Sequence, residues 1–303
     1  MNILILGLGS IGRRHARTIR SMDPKACLYA LRSGEGAPDA GVTDIHSIKD
    51  APHPLDLAIV ATPTHLHAAS VQQVAVLNPF LFLEKPLALS LQDASIIIQT
   101  VANAGMRSYI GCHLRFHPCL QWVRASLQKS PQKIQSVHAT CKSWLPDWQP
   151  GRDYRKSFRS DPSKSGGVHL ELIHELDYLM WIFGAPSDAK ATLKQVPELG
   201  IAVPAVAHYE LRYLSFGATI DLSYASHTKQ RTLEIIFDDT QWILDLLAFT
   251  ICDGSGNILF TSKSTIDDVY KAQMQHVLDC ATKGVESQHP VQEALETLRI
   301  ALV

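Results

Sequence analysis

The first twelve residues of the chain constrain its fold more than any other segment. The apolar run Ile3 to Leu6 leads directly into the pattern G-x-G-x-x-G, which Gly7, Gly9 and Gly12 form. Such a short apolar run indicates an interior strand of a parallel sheet, and the residues after it read as a helix. Glycines with this spacing allow a sharp turn, a close approach of the backbone to a pyrophosphate and tight helix packing. The segment predicts dinucleotide binding, with a structural turn or a methyltransferase loop as the alternatives.

The bulk composition narrows the class of protein. With 303 residues, 46% of them hydrophobic, the chain can form a large core and two domains. A net charge of −1 favours a small-molecule partner over nucleic acid or an anionic membrane. The six cysteines form no C-x-x-C pair, so we expect reduced thiols and no metal site. No apolar run reaches the length of a membrane span, and we expect a soluble, cytoplasmic protein.

The order of predicted elements divides the chain near residue 120. Strands and helices alternate over residues 1–120, which predicts an α/β Rossmann domain with a doubly wound parallel sheet. Residues 121–303 contain mostly strand-like segments, one long helix predicted over 168–183 and two terminal helices. This pattern predicts an α+β domain with a large, mostly antiparallel open sheet for substrate binding and oligomerisation.

Polar residues follow the predicted parallel strands at the edge where ligands bind in this type of sheet. Arg115 follows the last of these strands, and anion binding and a surface ion pair are both open for it. The predicted cofactor contacts near the glycine pattern and the later strand ends are Gly7, Gly9, Ser10, Ile11, Gly12, Thr62, Pro63, His65, Glu84, Lys85 and Arg115.

The end of the second predicted strand bears on which cofactor binds. NAD enzymes usually place an acid there, about twenty residues after the glycine pattern. This chain carries Arg32 and Ser33 instead, and both suit a 2′-phosphate through charge-assisted bonds and a hydroxyl donor. We therefore expect NADP in preference to NAD, with a solvated surface arginine as the alternative.

Two positions are candidates for proton chemistry. Lys85 follows an apolar strand and precedes Pro86, for which a cis peptide bond is a hypothesis. Its ammonium group can donate a hydrogen bond to a substrate oxygen, although a solvated lysine is the commoner case. On one continuous helix, Glu171 and His174 share a face, and Asp177 lies three residues further on. An imidazole beside a carboxylate can accept a hydroxyl proton near neutral pH, although a structural histidine is the alternative.

The loop before that helix is rich in Pro, Asp, Arg and Ser. It carries Arg152 and Tyr154, which are candidates for binding an anionic substrate such as a sugar nucleotide or a uronate. A plain solvated loop is the alternative.

Five segments in order resemble the Gfo/Idh/MocA family, named after glucose-fructose oxidoreductase and inositol dehydrogenase. They are the glycine pattern, Ala61 to His67, the turn Glu84-Lys85-Pro86, Arg115 to Pro118, and Gly166 to Asp177. The resemblance implies that Lys85 contacts substrate and that His174, with an acid on the same helix, completes the proton-handling set. The usual spacing is D-x-x-x-H, whereas here Glu171 stands three residues before the histidine, and Asp177 is the other acid that could orient it.

The same resemblance implies a function and an assembly. The stretch from residue 151 is similar to the branch found with surface-polysaccharide and sialic-acid-like sugar pathways. Family members commonly associate through their open sheets, which implies a homodimer or homotetramer. We predict an NAD(P)-dependent oxidoreductase that moves a hydride between nicotinamide and a secondary alcohol or ketone of a sugar, sugar nucleotide or polyol. The alternatives are elimination or glycoside cleavage with the cofactor recycled in place, and a non-catalytic NAD(P)-binding sensor.

Overall fold

A computed structural model describes residues 1–32 and 38–303 of the chain. The predicted cofactor contact Ser33 lies outside the described residues. Internal contacts divide the chain into two units, Met1–Cys112 with Tyr270–Leu298 and His113–Val269 with Arg299–Val303. Residues 270–298, which the prediction places in the second domain, therefore pack with the first unit.

The first unit contains a six-stranded parallel sheet with the order β3-β2-β1-β4-β5-β6, which confirms the predicted Rossmann fold. Its elements are β1 (Asn2–Leu6), α1 (Ser10–Met22), β2 (Cys27–Leu31), β3 (Thr43–Ile45), β4 (Leu57–Val60), α2 (His67–Ala75), β5 (Phe80–Leu83), α3 (Leu91–Asn103) and β6 (Ser108–Ile110). Every residue of β4 and β5 is buried, as expected for interior strands that are covered on both faces. The edge strand β3 has only one buried residue, and for that reason its sequence gave no strand signal.

The second unit contains an eight-stranded sheet with the order β14-β13-β12-β11-β7-β10-β9-β8. All its strand pairs are antiparallel except β7 with β10, which confirms the mostly antiparallel prediction. Its strands are β7 (Ile134–Trp144), β8 (Asp188–Lys194), β9 (Val206–Arg212), β10 (Gly217–Ser223), β11 (Ala225–Phe237), β12 (Gln241–Asp245), β13 (Thr250–Asp253) and β14 (Ile258–Thr261). Its helices are α4 (Pro118–Lys129), α5 (Val168–Glu171) and α6 (His174–Phe183), and the chain ends in α7 (Ile266–Lys283) and α8 (Val291–Ala301).

One face of this sheet is buried and the other is open. In β7, Val137, Ala139 and Cys141 are buried, whereas the residues between them are half-buried. Helix α6 packs on β7 and supplies cover for the buried face. This alternation is the period of two that a half-covered antiparallel sheet requires.

The helix predicted over 168–183 is broken into α5 and α6. Leu172 has φ −100° and ψ 35°, which ends α5, and His174 begins the next helix. Helix α5 packs on β9 and β10, whereas α6 packs on β7. The break lets the two segments follow different strands, so tertiary contacts override the local helix propensity. Glu171 and His174 therefore do not share the face of one continuous helix, and that expectation was wrong.

Among the described residues, no helix combines the length and the apolar character needed to cross a bilayer.

Candidate active site

The glycine pattern of the first unit has a geometry that fits a bound dinucleotide. Gly7 has φ +89°, and a Cβ there would lie 2.6 Å from the Ala61 carbonyl oxygen. A Cβ on Gly12 would overlap the carbonyl oxygen of Gly7. By contrast, a Cβ on Gly9 would meet no heavy atom within 4 Å, so this position faces open space. The fold itself needs Gly7 and Gly12, whereas the open side of Gly9 leaves room for a ligand to approach the backbone.

Helix α1 begins at this turn and offers its N-terminus to an anion. Gly9 is its N-cap and gives no side-chain hydrogen bond to the first turn, in which Ser10 is exposed and Ile11 is half-buried. Unbonded N–H groups and the positive end of the helix dipole together favour a phosphate. The donor set of this turn therefore fits the pyrophosphate of a dinucleotide.

A cavity of about 330 Å³ lies at the carboxyl ends of the neighbouring strands. Arg32 lines it, and the Arg32 Nη1 atom is 3.3 Å from an oxygen of Asp44 on β3. Thr62 lines it as well, with its hydroxyl 3.2 Å from the Ser70 hydroxyl. Its lining residues are Leu6, Gly7, Leu31, Arg32, His46, Thr62, Leu66, Ala69, Ser70 and Gln73. The cavity thus brings together three predicted cofactor contacts, whereas Pro63 and the exposed His65 are not among its lining residues.

His67 lies between two turns of this edge, and its neutral imidazole, with one N–H, donates to one of the two carbonyl oxygens beside it. Its Nε2 atom is 3.1 Å from the Thr62 carbonyl oxygen, and its Nδ1 atom is 3.3 Å from the Leu87 carbonyl oxygen. Burial lowers the pKa of this imidazole. The sequence showed the histidine but not its role, since both of its partners are backbone atoms of other turns.

The turn after β5 is held by its glutamate. One oxygen of Glu84 lies 2.6 Å from Nε2 of His15 in α1, and the other accepts the Lys85 backbone N–H at 3.2 Å. The Lys85–Pro86 peptide bond is cis, which confirms that hypothesis. The Lys85 side chain is half-buried, while Glu84 is buried. A role for Glu84 in cofactor binding stays a prediction.

In the second unit, His174 is the first residue of α6 and is buried. Its ring meets the ring of His113 edge to face, with the centroids 4.5 Å apart. His113 belongs to the 3-10 turn His113–Phe116 and was not singled out from the sequence. No local pattern links the two, because the contact joins segments far apart in the chain.

Two buried ion pairs fix the first turn of α6. Arg115 binds Asp177 with both Nε and Nη2, at 3.0 Å and 2.7 Å. Arg231 of β11 binds Glu175 in the same two-bonded manner, at 2.7 Å and 3.1 Å. Burial lowers the pKa of Arg231, but the Glu175 carboxylate raises it further, so the net shift is upward. Charge-assisted, two-bonded pairs of this kind fix orientation as well as position.

The remaining predicted residues lie around the loop before α5. Glu171 is paired with Arg159, whose Nε atom is 3.4 Å from the carboxylate. Arg152 is exposed, and the Tyr154 hydroxyl donates to the Leu199 carbonyl oxygen at 2.9 Å. Substrate binding by Arg152 and Tyr154 stays a prediction.

The first unit, with its parallel sheet and uncapped glycine turn, and the second, with its large open sheet, define a two-part dinucleotide-binding protein. Residues 1–112 match the family model described as an oxidoreductase family with an NAD-binding Rossmann fold. Residues 132–241 match the model of the GFO/IDH/MocA C-terminal domain. The chain belongs to the Gfo/Idh/MocA oxidoreductase family, which confirms the resemblance. Its first unit is the NAD-binding part, and the preference for NADP stays a prediction.

Curated relatives match part of this chain in sequence. The chain is 27% identical over 190 residues to 2,7-anhydro-N-acetylneuraminate hydratase of Escherichia coli, a match that covers 61% of this chain and 50% of the relative. It is 28% identical over 196 residues to myo-inositol 2-dehydrogenase of Thermotoga maritima, covering 61% of this chain and 55% of the relative. The chain thus spans about half the length of the curated relatives it matches.

Solved structures show the same fold over nearly the whole chain. UDP-N-acetylglucosamine 3-dehydrogenase from Acidithiobacillus ferrooxidans superposes with a TM-score of 0.81 at 19% identity, covering 100% of this chain and 95% of the other. Levoglucosan dehydrogenase, in a complex with NADH and levoglucosan, superposes with a TM-score of 0.85 at 14% identity, covering 99% and 95%. These similarities establish the fold.

Proposed function

We propose that this chain is an NAD(P)-dependent oxidoreductase that acts on a secondary alcohol or ketone of a sugar, sugar nucleotide or polyol. The observation that carries the proposal is the turn at Gly9, which is open to a ligand at the uncapped start of α1. The names of the matched relatives support the substrate class, because they include an inositol dehydrogenase and a UDP-sugar dehydrogenase.

We propose the following roles for this chain's residues. A bound nicotinamide would supply the hydride acceptor or donor. Lys85 donates a hydrogen bond to the substrate oxygen and so stabilises charge that develops on it. His174 takes up the hydroxyl proton during oxidation and returns it during reduction. Glu171, in this proposal, is the acid of the set.

The two buried pairs of α6 support positioning roles. The Arg115 and Asp177 side chains are bound to each other, as are those of Arg231 and Glu175. We propose that these pairs hold the helix start that carries His174. A histidine fixed by its neighbours needs less reorganisation to exchange a proton in a defined direction.

The glycine turn offers a direct test of cofactor binding. We expect Gly9→Ala to fold normally, since its Cβ meets no atom of the protein, and to bind NADH or NADPH at least tenfold more weakly. The measurement is titration of the reduced cofactor by its fluorescence, with the melting temperature as the check on folding.

Gly12→Ala is the matched control, because its Cβ would overlap the Gly7 carbonyl oxygen. We expect this variant to lose stability as well as binding. Unchanged cofactor affinity in a folded Gly9→Ala protein would contradict the proposal.

A second candidate function keeps the cofactor but produces no net redox change. Two of the matched relatives are named hydratases, which favours a reaction that eliminates or adds water with the cofactor recycled in place. Product formed without stoichiometric change of absorbance at the nicotinamide wavelength would support this candidate over the first.

We also propose a homodimer or homotetramer that associates through the open face of the eight-stranded sheet. Along β7 the side chains of that face are only half-buried within one chain, which leaves a surface that a second copy would cover. Light scattering should give two or four times the mass of one chain, and a monomer would contradict the proposal.

We also propose a cytoplasmic location. The six free cysteines support it, and cell fractionation tests it.

A further inference from the structure

The second unit contains a cavity of about 480 Å³ whose lining is unlike a neutral sugar pocket. Its volume lies in the range of small-molecule sites, about 300–1,000 Å³. It is lined by Cys141, Lys142, Ser143, Trp144, Asp147, Trp148, Leu172, His227, Lys229, Gln230, Arg231 and Leu247. Two tryptophans, a histidine and three basic residues thus surround one space.

The cavity exists because β11 bulges away from β7. Ala225 pairs with Trp144 and Gln230 pairs with Lys142, so four residues of β11 lie opposite one residue of β7. This bulge carries His227, whose ring lies 4.1 Å from the Trp144 ring between centroids. Bulges of this size re-aim side chains and commonly occur beside functional sites.

The aromatic walls are held in place. The Trp148 indole N–H donates to the Ser143 hydroxyl at 2.9 Å, which fixes the orientation of the ring. The Arg159 guanidinium lies 5.9 Å from the centre of the same ring and is bound to Glu171. A fixed indole face packs against the C–H face of a pyranose ring, since both surfaces are apolar and flat.

The charges in the lining do not balance. Arg231 is neutralised by Glu175, and Asp147 is the one acid among the lining residues. Within residues 1–32 and 38–303, neither Lys142 nor Lys229 has a carboxylate within ion-pair distance. Burial raises the pKa of the Cys141 thiol to about 12, so this residue contributes no negative charge at neutral pH. The cavity therefore has an excess of positive charge that a ligand anion would complement.

We propose that this cavity binds the anionic part of a sugar substrate, a carboxylate or a phosphate, through Lys142 and Lys229, with the ring against Trp148. The cavity lies at the break before α6, because Leu172 lines it and its Arg231 binds the residue after His174. The inference names a substrate class for the proposed dehydrogenase and in that respect rests on the proposed function.

The test measures the affinity of the protein for sugars by calorimetry, in the absence of any cofactor. The probes are glucuronate and glucose 1-phosphate, each compared with glucose and with myo-inositol as neutral ligands. We expect both anions to bind at least tenfold more tightly than glucose, and we expect this difference to shrink at high salt. If only one anion binds more tightly, the result identifies the anion as carboxylate or phosphate and supports the proposal.

The test variant carries both Lys142→Gln and Lys229→Gln. The matched control is Lys194→Gln on the exposed strand β8. We expect the double variant to lose the preference for anions while its melting temperature and its affinity for NADH stay unchanged. Equal affinity for glucose and both anions, no binding of either anion, or a preference that survives in the double variant would overturn the inference.

These outcomes are separate from those of the proposed function. A protein that oxidises neutral polyols but shows no anion preference keeps the proposed function and loses this inference. A protein that binds the anions in this cavity but shows no nicotinamide-linked turnover keeps this inference and loses the proposed function.

Discussion

At the scale of single residues, His117 is a buried histidine whose ring makes structural contacts. Its Nδ1 atom accepts the Cys119 backbone N–H at 3.2 Å, and its Nε2 atom lies 3.1 Å from the Leu246 carbonyl oxygen. These two bonds require the neutral imidazole with the proton on Nε2. Burial, with a contribution from Arg231, lowers the pKa of His117 to about 4.

This shift predicts a loss of stability in acid. The unfolded histidine takes up a proton near pH 6.5, whereas the folded one does so only at about 4, so the unfolded state binds more protons between these values. Stability is full above pH 6.5 and falls as the pH decreases toward 4, by about 3 kcal/mol from this residue. Urea unfolding at pH 7.5, 5.5 and 4.5 measures it.

The variant His117→Asn separates this effect from general acid denaturation. Asparagine can also cap α4 and donate to a carbonyl oxygen, but it does not titrate. We expect its free energy of unfolding to depend less steeply on pH than that of the wild type. Equal slopes for the two proteins would contradict the account.

At the scale of elements, α6 depends on charges that lie far away in the sequence. Glu175 is fully buried and its only counter-charge among the described residues near it is Arg231. Removing one partner of such a pair leaves a buried charge without compensation.

We expect Glu175→Gln to lower the free energy of unfolding by about 3 kcal/mol, because Arg231 loses its counter-charge. The exposed Glu198→Gln is the control and should change it by less than about 0.5 kcal/mol. Denaturant titration of both variants decides the matter, and an equally small effect in Glu175→Gln would show that the pair is not needed for stability.

The same helix marks the limit of prediction from sequence. The strands β1, β4 and β5 lie in the region predicted as alternating strands and helices, and their residues are apolar on both faces, a signal that is local. The break at Leu172 was not predicted, since the residues from 168 to 183 favour a helix and the reason for the break lies in β7, β9 and β10. Helix α4 was missed because its N-cap is a histidine rather than one of the usual capping residues.

Some features of the candidate site could likewise be predicted from local sequence, and others could not. The glycine turn, the cis turn at Lys85 and the position of Arg32 at the carboxyl end of β2 follow from local motifs. The partners of Glu84 and Asp177 could not be predicted, because an ion pair between distant segments produces no pattern in the sequence around either residue. The cavity near Trp148 depends on a bulge in β11, and we found no signal for this bulge in the sequence of that strand.

At the scale of the whole molecule, the chain returns to its first unit near its end. Residues 270–298 pack with residues 1–112, and Arg14 of α1 lies 4.5 Å from the centre of the Tyr270 ring. An amphipathic pattern predicts that a helix packs on a core, but it does not say on which core. Family membership over both units supports reading the chain as one two-part oxidoreductase.

The measurement that tests this account most directly is turnover of NAD(P)⁺ with a panel of sugars, followed at 340 nm, for the wild type and Lys85→Met. We expect one reduced cofactor per product in the wild type. In the variant we expect turnover to fall by about a thousandfold, far more than cofactor affinity, because the stabilisation of the reacting oxygen is lost. Equal turnover in the variant, or product without reduced cofactor, would contradict the account.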